Sequence, residues 1–542
     1  EFTVRYELNH NNSAPTKTDL FRSPLQSDMF GDNFEPAILA NYDSRNVDHV
    51  DIQHVTIEKW SHKQPENIDE DLLKYCAESW GDYFADIFKK NHRKQFVLTK
   101  TEAINRTTRY DSSQPINKDT SCGYPWKHRP GSVGKKLYIQ PRQHKTAVLN
   151  CFTDDVNGRD INHAVDQLIQ TCKEGKRPAV VFSSSAKDEV IKKSKIYPCR
   201  TRGFTGSPLE YYIAMRQYFH TAICGLIDTR SETPIKLGIE ANGQEWDKLY
   251  QWLASNSTVG FDLDFKDWDA MIAAVVMRVL PIIYNKIYSK NSDLDPNDLE
   301  TQNRIRIWLY SALDGPLLTL GQYVVQAPGG QVSGQPNTTP DNCFIHLIFL
   351  LYAWMKLAPP HLRTFAAFLE YVVAAVFGDD GVVSVKPEVL GWYNFETVKE
   401  ILEHDFNVSI TSAAKTGKTE KFKPIDEFEF LKRTFLKIGP YRFGKINDSV
   451  MDKMLNWTHT CKKHHYFKEP NRVHYDLSTI ESSIESMIYE LCIFPPEKYQ
   501  QVVDHVQPIL YKLGSRKRIP NQRDALVQRG VPQLDFLSQF KQ

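Results

Sequence analysis

Two adjacent carboxylates between glycines are the first candidates for metal chemistry. Asp379 and Asp380 stand in a Gly-Asp-Asp-Gly sequence that follows the apolar run 371–377. Flanking glycines permit a tight reversal of the backbone, which places both carboxylates at one end of a hairpin. Hard divalent cations prefer such oxygen ligands. A solvated turn has the same local sequence, so a metal site needs a second acidic segment.

The segment 262–269 supplies further carboxylates, because it contains Asp262, Asp264, Asp267 and Asp269. Crowded carboxylates repel one another unless a cation neutralises them. Alone, the segment is more typical of a charged loop after a strand. Together, the two segments predict a pair of divalent cations that activate a 3′-hydroxyl and stabilise charge on a phosphate. The predicted ligands are Asp264 and Asp379, with Asp380 as an auxiliary ligand and the Phe265 carbonyl as an oxygen donor. The expected ions are Mg²⁺, with Mn²⁺ as a substitute.

A polar loop between these segments has the spacing Ser-Gly-x3-Thr-x3-Asn, formed by Ser333, Gly334, Thr338 and Asn342. Ser333 and Asn342, with Asp269, could form a hydrogen-bonded set that reads a ribose 2′-hydroxyl. Such a set would select NTP over dNTP. The segment Thr339-Pro340-Asp341 also predicts a capped helix start, and the two interpretations are compatible.

A basic segment begins with Lys187-Asp-Glu and continues through Arg200 and Arg202. Guanidinium and ammonium groups at this density suit a triphosphate. A basic run alone is more often a solvated face.

The motifs together resemble the RNA-dependent RNA polymerases of picornaviruses and their relatives, including insect picorna-like viruses. Asp264-Phe-Lys-Asp-Trp-Asp269 is similar to the family's Asp-x4-Asp segment. Asp262 and Asp267 have the same spacing, but the ending Trp268-Asp269-Ala270 favours the later pair, and Asp262 remains the alternative. The family's motif order is kept across residues 120–433.

The resemblance implies roles that residue types alone do not indicate. It implies that Lys187, Arg200 and Arg202 bind the triphosphate. Thr120, Ser121 and Gly123 match a Thr-Ser-x-Gly-Tyr-Pro loop where template RNA enters. Lys432 and Arg433 match a Phe-Leu-Lys-Arg segment that contacts primer phosphates. Lys415 matches a lysine that protonates departing pyrophosphate. Lys418, Lys421 and Lys423 lie nearby and leave that register open.

The resemblance also implies an α+β right-hand polymerase fold, with fingers, palm and thumb around an encircled active site. The implied divisions are 1–218 for the N-terminal arm and first part of the fingers, 219–270 for the first part of the palm, 271–331 for the second part of the fingers, 332–436 for the second part of the palm, and 437–542 for the thumb.

Local patterns predict the elements that position these residues. Residues 1–60, here called the arm, lack periodicity and predict an extended segment packed against the rest of the chain. Periodicity predicts helices over 68–90, after 269, from about 340, over 479–491 and over 497–510, and strands over 259–264 and 371–377. A Gly-rich hairpin is predicted near 328–334, and a mainly helical region after 437.

Composition sets broad limits. The 542 residues are 41% hydrophobic, and 67 Lys and Arg balance 66 Asp and Glu, so net charge predicts no polyanionic partner. Nine scattered cysteines without a Cys-x-x-Cys pair indicate a reducing setting. Cys461, His464 and His465 lack a second ligand pair, so no zinc site is predicted. The longest apolar run, 344–355, is shorter than the roughly 20 residues that a membrane span needs.

The expected partners are template and primer RNA, NTPs, a small viral protein primer and other viral replication proteins. The expected location is the host cytoplasm, at membrane-associated replication complexes. A reverse transcriptase or a metal-dependent nuclease would also need converging carboxylates. Neither explains Asn342, Asp269 and the Lys187 segment together. An inactive RNA-binding scaffold would be expected to lose Asp264, Asp379 or Asp380, and all three are present.

Overall fold

The computed structural model describes residues 2–8, 17–144, 147–412, 420–459 and 476–540. Helices and sheets are mixed along the chain, which confirms the α+β class. The helices are α1 (Ile52–Glu58), α2 (Glu70–Lys90), α3 (Lys100–Ile104), α4 (Val156–Lys173), α5 (Leu209–Asp228), α6 (Glu245–Ala254), α7 (Trp268–Met271), α8 (Ala274–Asn291), α9 (Pro296–Ser311), α10 (Thr338–Leu357), α11 (Phe365–Tyr371), α12 (Phe395–Phe406), α13 (Asp448–Asn456), α14 (Leu477–Leu491), α15 (Pro496–Lys512), α16 (Gln522–Gln528) and α17 (Gln533–Ser538). The strands are β1 (Thr3–Glu7), β2 (Leu20–Arg22), β3 (Phe34–Pro36), β4 (Ile139–His144), β5 (Ala147–Phe152), β6 (Val181–Ala186), β7 (Val190–Lys192), β8 (Gly203–Gly206), β9 (Val259–Lys266), β10 (Leu317–Leu320), β11 (Tyr323–Gln326), β12 (Val372–Phe377), β13 (Asp380–Val385), β14 (Ser409–Thr411), β15 (Lys423–Pro424), β16 (Arg433–Ile438), β17 (Tyr441–Ile446) and β18 (Trp457–His459).

The central sheet has the order β12-β13-β9-β14, and β15 pairs with the start of β9. β12 and β13 form an antiparallel hairpin whose last pair is Phe377 with Asp380. β13 runs antiparallel to β9, with Gly381 opposite Leu263. This register brings the Gly-Asp-Asp turn beside the carboxyl end of β9. The strands predicted over 259–264 and 371–377 are confirmed.

The largest core lies behind this sheet and is built around α10. Nearly every residue of α10 is buried, as expected for a helix that is apolar all round. α2 and α8 pack together and contact α10, and the Trp80 indole donates to the Leu347 carbonyl at 2.9 Å. α2 begins at an Asp69 cap. The helices predicted over 68–90, after 269 and from about 340 are therefore confirmed as α2, α8 and α10.

A second five-stranded sheet has the order β1-β11-β10-β6-β8. Its β10–β11 hairpin turns at Gly321, which has a φ of +57°. The hairpin predicted near 328–334 is wrong. The Gly330 and Gln331 amides instead donate to the carbonyls of Ile272 and Asp269, which holds this segment against the start of α8.

The arm packs against this same chain, as predicted. β1 pairs with β11, β2 with β18, and β3 with β7. Between β2 and β3, Leu25 and Phe30 enter the core of the C-terminal helices. The arm thus joins the C-terminal helices to the basic segment. The short helix α1 was not predicted, because its seven residues lie within a polar sequence.

The C-terminal region is mainly helical, and the predicted helices over 479–491 and 497–510 are confirmed as α14 and α15. β17 and β18 were not expected there. No described helix is both long enough and apolar enough to span a bilayer. The eight described cysteines are all free thiols. Cys461, His464 and His465 lie outside the described residues.

Candidate active site

A cavity of about 1080 Å³ opens where β9 ends beside the β12–β13 turn. The elements that line it include β9, β14, the start of α10, the basic segment and α1. Most of the sequence-predicted site residues meet here. The cavity is lined by Asp264, Phe265, Asp269, Asp379, Asp380, Arg200, Arg202, Ser333, Thr338, Asn342 and Lys432.

The Gly-Asp-Asp turn is packed directly on α10. Gly378 has a φ of +66°, and its amide donates to the Cys343 thiol at 3.0 Å. A Cβ added to Gly381 would lie 2.2 Å from the ring of buried His346. The glycines therefore allow both the reversal and the close approach to the helix.

The carboxylates in the cavity repel one another. Burial raises the pKa of Asp379, and the charge of Asp264 raises it further, against Arg202 and Lys432. Burial raises the pKa of Asp380 to about 7; Lys432 opposes this rise, and Asp379 and Asp264 add to it. Closely spaced acids of this kind favour binding of a cation.

Two acids on β9 have different surroundings. Asp262 is 1% exposed, and its carboxylate accepts from Lys423 Nζ at 2.6 Å, the Glu429 amide at 3.1 Å and Ser412 Oγ at 3.2 Å. Asp264 instead lines the cavity. Of the two candidate pairs, the structure thus brings Asp264 and Asp269 to the cavity, whereas Asp262 of the alternative pair lies in the interior.

The donor set fits a divalent cation that substrate helps to bind. Within the described part of the chain, no three His, Cys, Asp or Glu side chains form a metal-binding group. Asp264 and Asp379 both line the cavity and repel each other, whereas Asp380 Oδ2 accepts from the Leu431 amide at 3.2 Å. Mg²⁺ typically takes one or two carboxylates and completes its shell with water and substrate phosphates. These two carboxylates meet that requirement.

Two of the three predicted ribose-reading residues are in contact. Asn342 lies close enough to Asp269 to lower its pKa, which burial and the charge of Asp379 raise to about 6. Ser333 lines the same cavity, but its Oγ accepts from the Thr205 amide at 3.1 Å. Thr338 Oγ1 donates to the Val332 carbonyl at 2.8 Å and so holds the loop.

Gln331 is a site residue that no sequence motif indicated. Its Nε2 donates to Asn342 Oδ1 at 3.3 Å, which turns the Asn342 amide nitrogen towards Asp269. Its backbone amide donates to the Asp269 carbonyl at 2.6 Å. Gln331 therefore connects both members of the pair.

The basic segment reaches the cavity through Arg200 and Arg202. Glu189 accepts from Arg202 at 2.5 and 2.7 Å and forms an ion pair with Lys187 at 3.4 Å. The hydrogen bond to Glu189 raises the pKa of Arg202 most, and the charges of Asp269 and Asp379 raise it further. Arg202 thus faces the acids, while Glu189 orients it.

Lys432 and Arg433 point to different environments. Phe430 and Arg433 exchange two backbone hydrogen bonds around a tight turn, and Leu431 and Lys432 have φ values of 50° and 58°. The turn places Lys432 at the cavity, near Asp380. Arg433 makes two 2.6 Å bonds to Glu490 inside the protein, so its guanidinium does not reach the cavity.

The remaining predicted residues lie elsewhere. Thr120 and Ser121 are exposed in a turn and do not line the cavity. Gly123 has a φ of +71°, and a Cβ there would lie 2.2 Å from the Ser207 carbonyl oxygen, so this position requires glycine. Their contact with RNA stays a prediction. Lys415 lies outside the described residues.

Comparison with known proteins agrees with this geometry. A model of the family described as viral RNA-dependent RNA polymerase matches residues 27–506. The chain belongs to this family. The match spans every residue that lines the cavity, and it confirms the resemblance inferred from the motifs.

Relatives include the replicase polyproteins of Acute bee paralysis virus and Drosophila C virus, each 25% identical, over 87% and 74% of this chain. The RNA1 polyprotein of Arabis mosaic virus is 28% identical over 78% of this chain. The chain spans 24%, 23% and 18% of these relatives. Among solved structures, the Sicinivirus 3Dpol RNA dependent RNA polymerase has a TM-score of 0.73 and 20% identity, covering 98% of this chain and 100% of that one. The chain therefore has the fold of that polymerase.

Proposed function

We propose that this chain replicates viral RNA by template-directed addition of NTPs to a 3′-hydroxyl, with two Mg²⁺ ions or with Mn²⁺ as a substitute. The observation that carries the proposal is the single cavity that Asp264, Asp379, Arg202, Asp269 and Asn342 all line. This arrangement combines a cation site, a phosphate-binding cation and a ribose reader. RNA synthesis requires all three.

The proposed division into fingers, palm and thumb keeps the boundaries given above. The palm, 219–270 and 332–436, contains the central sheet and its acids. The fingers, 1–218 and 271–331, contain the basic segment, and the thumb is 437–542. The pairing of β2 with β18 and of β3 with β7 supports an encircled active site, because the arm spans from fingers to thumb.

Bound metal ions would activate the 3′-hydroxyl and stabilise charge on the α-phosphate. Asp264 and Asp379 would hold them, with Asp380 and the Phe265 carbonyl as further oxygen donors. Arg202, with Arg200 and Lys187, neutralises the triphosphate. The Asn342 amide and Asp269 recognise the ribose 2′-hydroxyl, supported by Ser333 and Thr338.

The proposed RNA contacts are Lys432 and the loop of Thr120, Ser121 and Gly123; Arg433 is not proposed as one, because Glu490 holds its guanidinium inside the protein. Lys415 is the proposed proton donor to pyrophosphate. The proposed partners are template and primer RNA, NTPs, a small viral protein primer and other replication proteins. The proposed location is the host cytoplasm at membrane-associated replication complexes.

Primer extension on a defined RNA template with Mg²⁺ tests the proposal. The wild type should add NTPs in the order the template dictates, and Asp379→Asn should reduce the rate by about 10³-fold or more, because it removes a metal ligand. Asp154→Asn is the matched control, since Asp154 is exposed and distant from the cavity. It should extend primers at the wild-type rate.

The alternatives give different results in the same assay. Preferential use of dNTPs would indicate a reverse transcriptase, and shortened RNA would indicate a nuclease. Binding of the primer–template without extension, with Mg²⁺ or Mn²⁺, would indicate a scaffold. Each of these outcomes would overturn the proposal.

A further inference from the structure

A buried carboxylate next to Asn342 belongs neither to the metal site nor to the cavity. Asp341 is 0% exposed and lies in the first turn of α10. Its Oδ1 accepts from Tyr284 Oη at 2.9 Å and from Tyr310 Oη at 2.6 Å. Its Oδ2 accepts from Gln335 Nε2 at 2.8 Å. The proposed chemistry does not use this group.

The donors to Asp341 come from three parts of the fold. Tyr284 lies on α8, Tyr310 lies on α9, and Gln335 lies in the loop that precedes α10. Asn337 of that loop also donates to Tyr310 Oη at 3.2 Å. Because each donor is fixed by its own element, the carboxylate locks the start of α10 against two helices and its own loop.

Gln331 connects this carboxylate to the ribose reader. Its Nε2 donates to Asn342 Oδ1 at 3.3 Å, its side chain lowers the pKa of Asp341, and the residue is completely buried. Among the described residues its Oε1 has no hydrogen-bond partner, so the contacts of Nε2 alone fix the orientation of this amide. A rotated Gln331 would present an oxygen to two acceptors, Asp341 and Asn342 Oδ1. Asp341 therefore determines which way Gln331 points.

We propose that Asp341 is a positioning residue for sugar selection, which acts through Gln331 to hold the Asn342 amide nitrogen towards Asp269. The inference rests on the proposed function and adds a specificity determinant outside the cavity. Loosening this cluster should weaken NTP use more than dNTP use, because only the NTP offers the 2′-hydroxyl that the Asp269–Asn342 pair recognises.

Tyrosine-to-phenylalanine variants test this with little change in packing. Tyr310→Phe should lower the ratio of kcat/KM for NTP to that for dNTP by about 3- to 10-fold, and Tyr284→Phe/Tyr310→Phe should lower it further. Tyr352→Phe is the matched control. Tyr352 lies on α10, the helix that carries Asp341, and its Oη donates to a different buried acid, Asp405, at 2.7 Å. Its ratio should equal that of the wild type, even where its unfolding temperature falls.

A donor swap provides the rescue. In Asp341→Asn, the amide oxygen can still accept from the two tyrosines. The amide nitrogen then lies against Gln335 Nε2, so this contact becomes donor against donor. Adding Gln335→Glu restores an acceptor at that contact and should recover sugar selection. A structural role alone would change stability and leave the ratio unchanged.

The possible failures are distinguishable. No template-dependent extension by the wild type would overturn the proposed function itself. Selective extension by the wild type, with unchanged ratios in Tyr310→Phe, the double phenylalanine variant and Asp341→Asn, would overturn only the role of Asp341. A loss in Tyr352→Phe equal to that in Tyr310→Phe would also overturn it, because the effect would not be specific to this cluster.

Discussion

The acids at the start of α10 and at the Gly-Asp-Asp turn have similar pKa values and different surroundings. Burial raises the pKa of both Asp341 and Asp380 to about 7. Around Asp341, hydrogen bonds from Tyr310, Tyr284 and Gln335 oppose that rise. Around Asp380, Lys432 and the Leu431 amide oppose it, but the charges of Asp379 and Asp264 add to it. An acid surrounded by donors fixes geometry, whereas acids that repel one another retain affinity for a divalent cation.

The same contrast occurs two residues apart on β9. Asp262 is neutralised by Lys423 in the interior, whereas Asp264 lines the cavity and repels Asp379. One strand therefore carries a structural acid and a candidate metal ligand. Substitutions at the two positions should separate stability from activity.

The largest expected effect is on catalysis at Asp264. Asp264→Asn should lower nucleotide addition by about 10³-fold or more, because it removes a metal ligand. In EDTA its unfolding temperature should match or exceed that of the wild type, because a repelling charge is lost. Primer extension and thermal unfolding measure the two properties. A clear loss of stability of Asp264→Asn in EDTA would contradict the contrast between the two acids, because Asp264 would then have a structural role like that of Asp262.

The second effect is on stability at the Asp262–Lys423 pair. Lys423→Met should destabilise the protein by about 3–5 kcal/mol, because it leaves a buried charge without its partner. Urea unfolding measures this loss. The double variant Asp262→Leu/Lys423→Met should recover much of it, because no charge remains buried. Equal losses in the single and double variants would contradict the ion-pair explanation.

A smaller effect is expected from the cation itself. Millimolar Mg²⁺ should stabilise the wild type by about 1–3 kcal/mol, because only the folded cavity holds the acids together. Asp264→Asn should lose this stabilisation, whereas Asp154→Asn should keep it. Urea unfolding with Mg²⁺ and with EDTA sharpens the comparison. Equal Mg²⁺ stabilisation in all three proteins would place the ion elsewhere.

The smallest effect concerns Glu210, a half-buried acid whose carboxylate accepts from the Trp126 indole. Burial raises its pKa from 4.5 to about 7, against that hydrogen bond. The folded protein therefore retains a proton that the unfolded chain releases, and stability should fall by about 1–2 kcal/mol as the pH rises from 4.5 to 7. The amide of Glu210→Gln does not titrate in this range. Its urea midpoint should therefore fall less than that of the wild type between pH 5 and pH 8. Identical pH profiles would show that Glu210 is ionised in the fold.

The sequence predicted the residues whose chemistry is tied to a motif. Asp264, Asp379 and Asn342 were identified because their types and spacing suit a cation and a ribose, and the structure brings them to one cavity. Strand and helix periodicity predicted the elements that hold them. The preference for Asp264 over Asp262 came from the neighbouring Trp268 and Ala270, and no local pattern indicated that Lys423 neutralises Asp262.

The contacts that were not predicted depend on the path of the chain. Nothing in the local sequence of Gln331 indicates that its amide lies between Asp341 and Asn342. Arg433 matches a motif, but its bond to Glu490 joins strands and helices distant in sequence. The glycines near 328–334 suggested a hairpin, whereas the real turn forms at Gly321. Glycine marks permissive backbone, and strand pairing decides where the turn occurs.

The pairing of the arm also has a consequence for biosynthesis. Leu20 pairs with His459, a residue made more than 400 positions later. At ribosomal rates of about 5–20 residues per second, β2 waits roughly 20 to 90 s for its partner strand. Through that interval Leu25 and Phe30 have no C-terminal core to enter. The segment with Leu25 and Phe30 is thus made long before the core on which it docks, and nascent chains would expose these apolar side chains to chaperones.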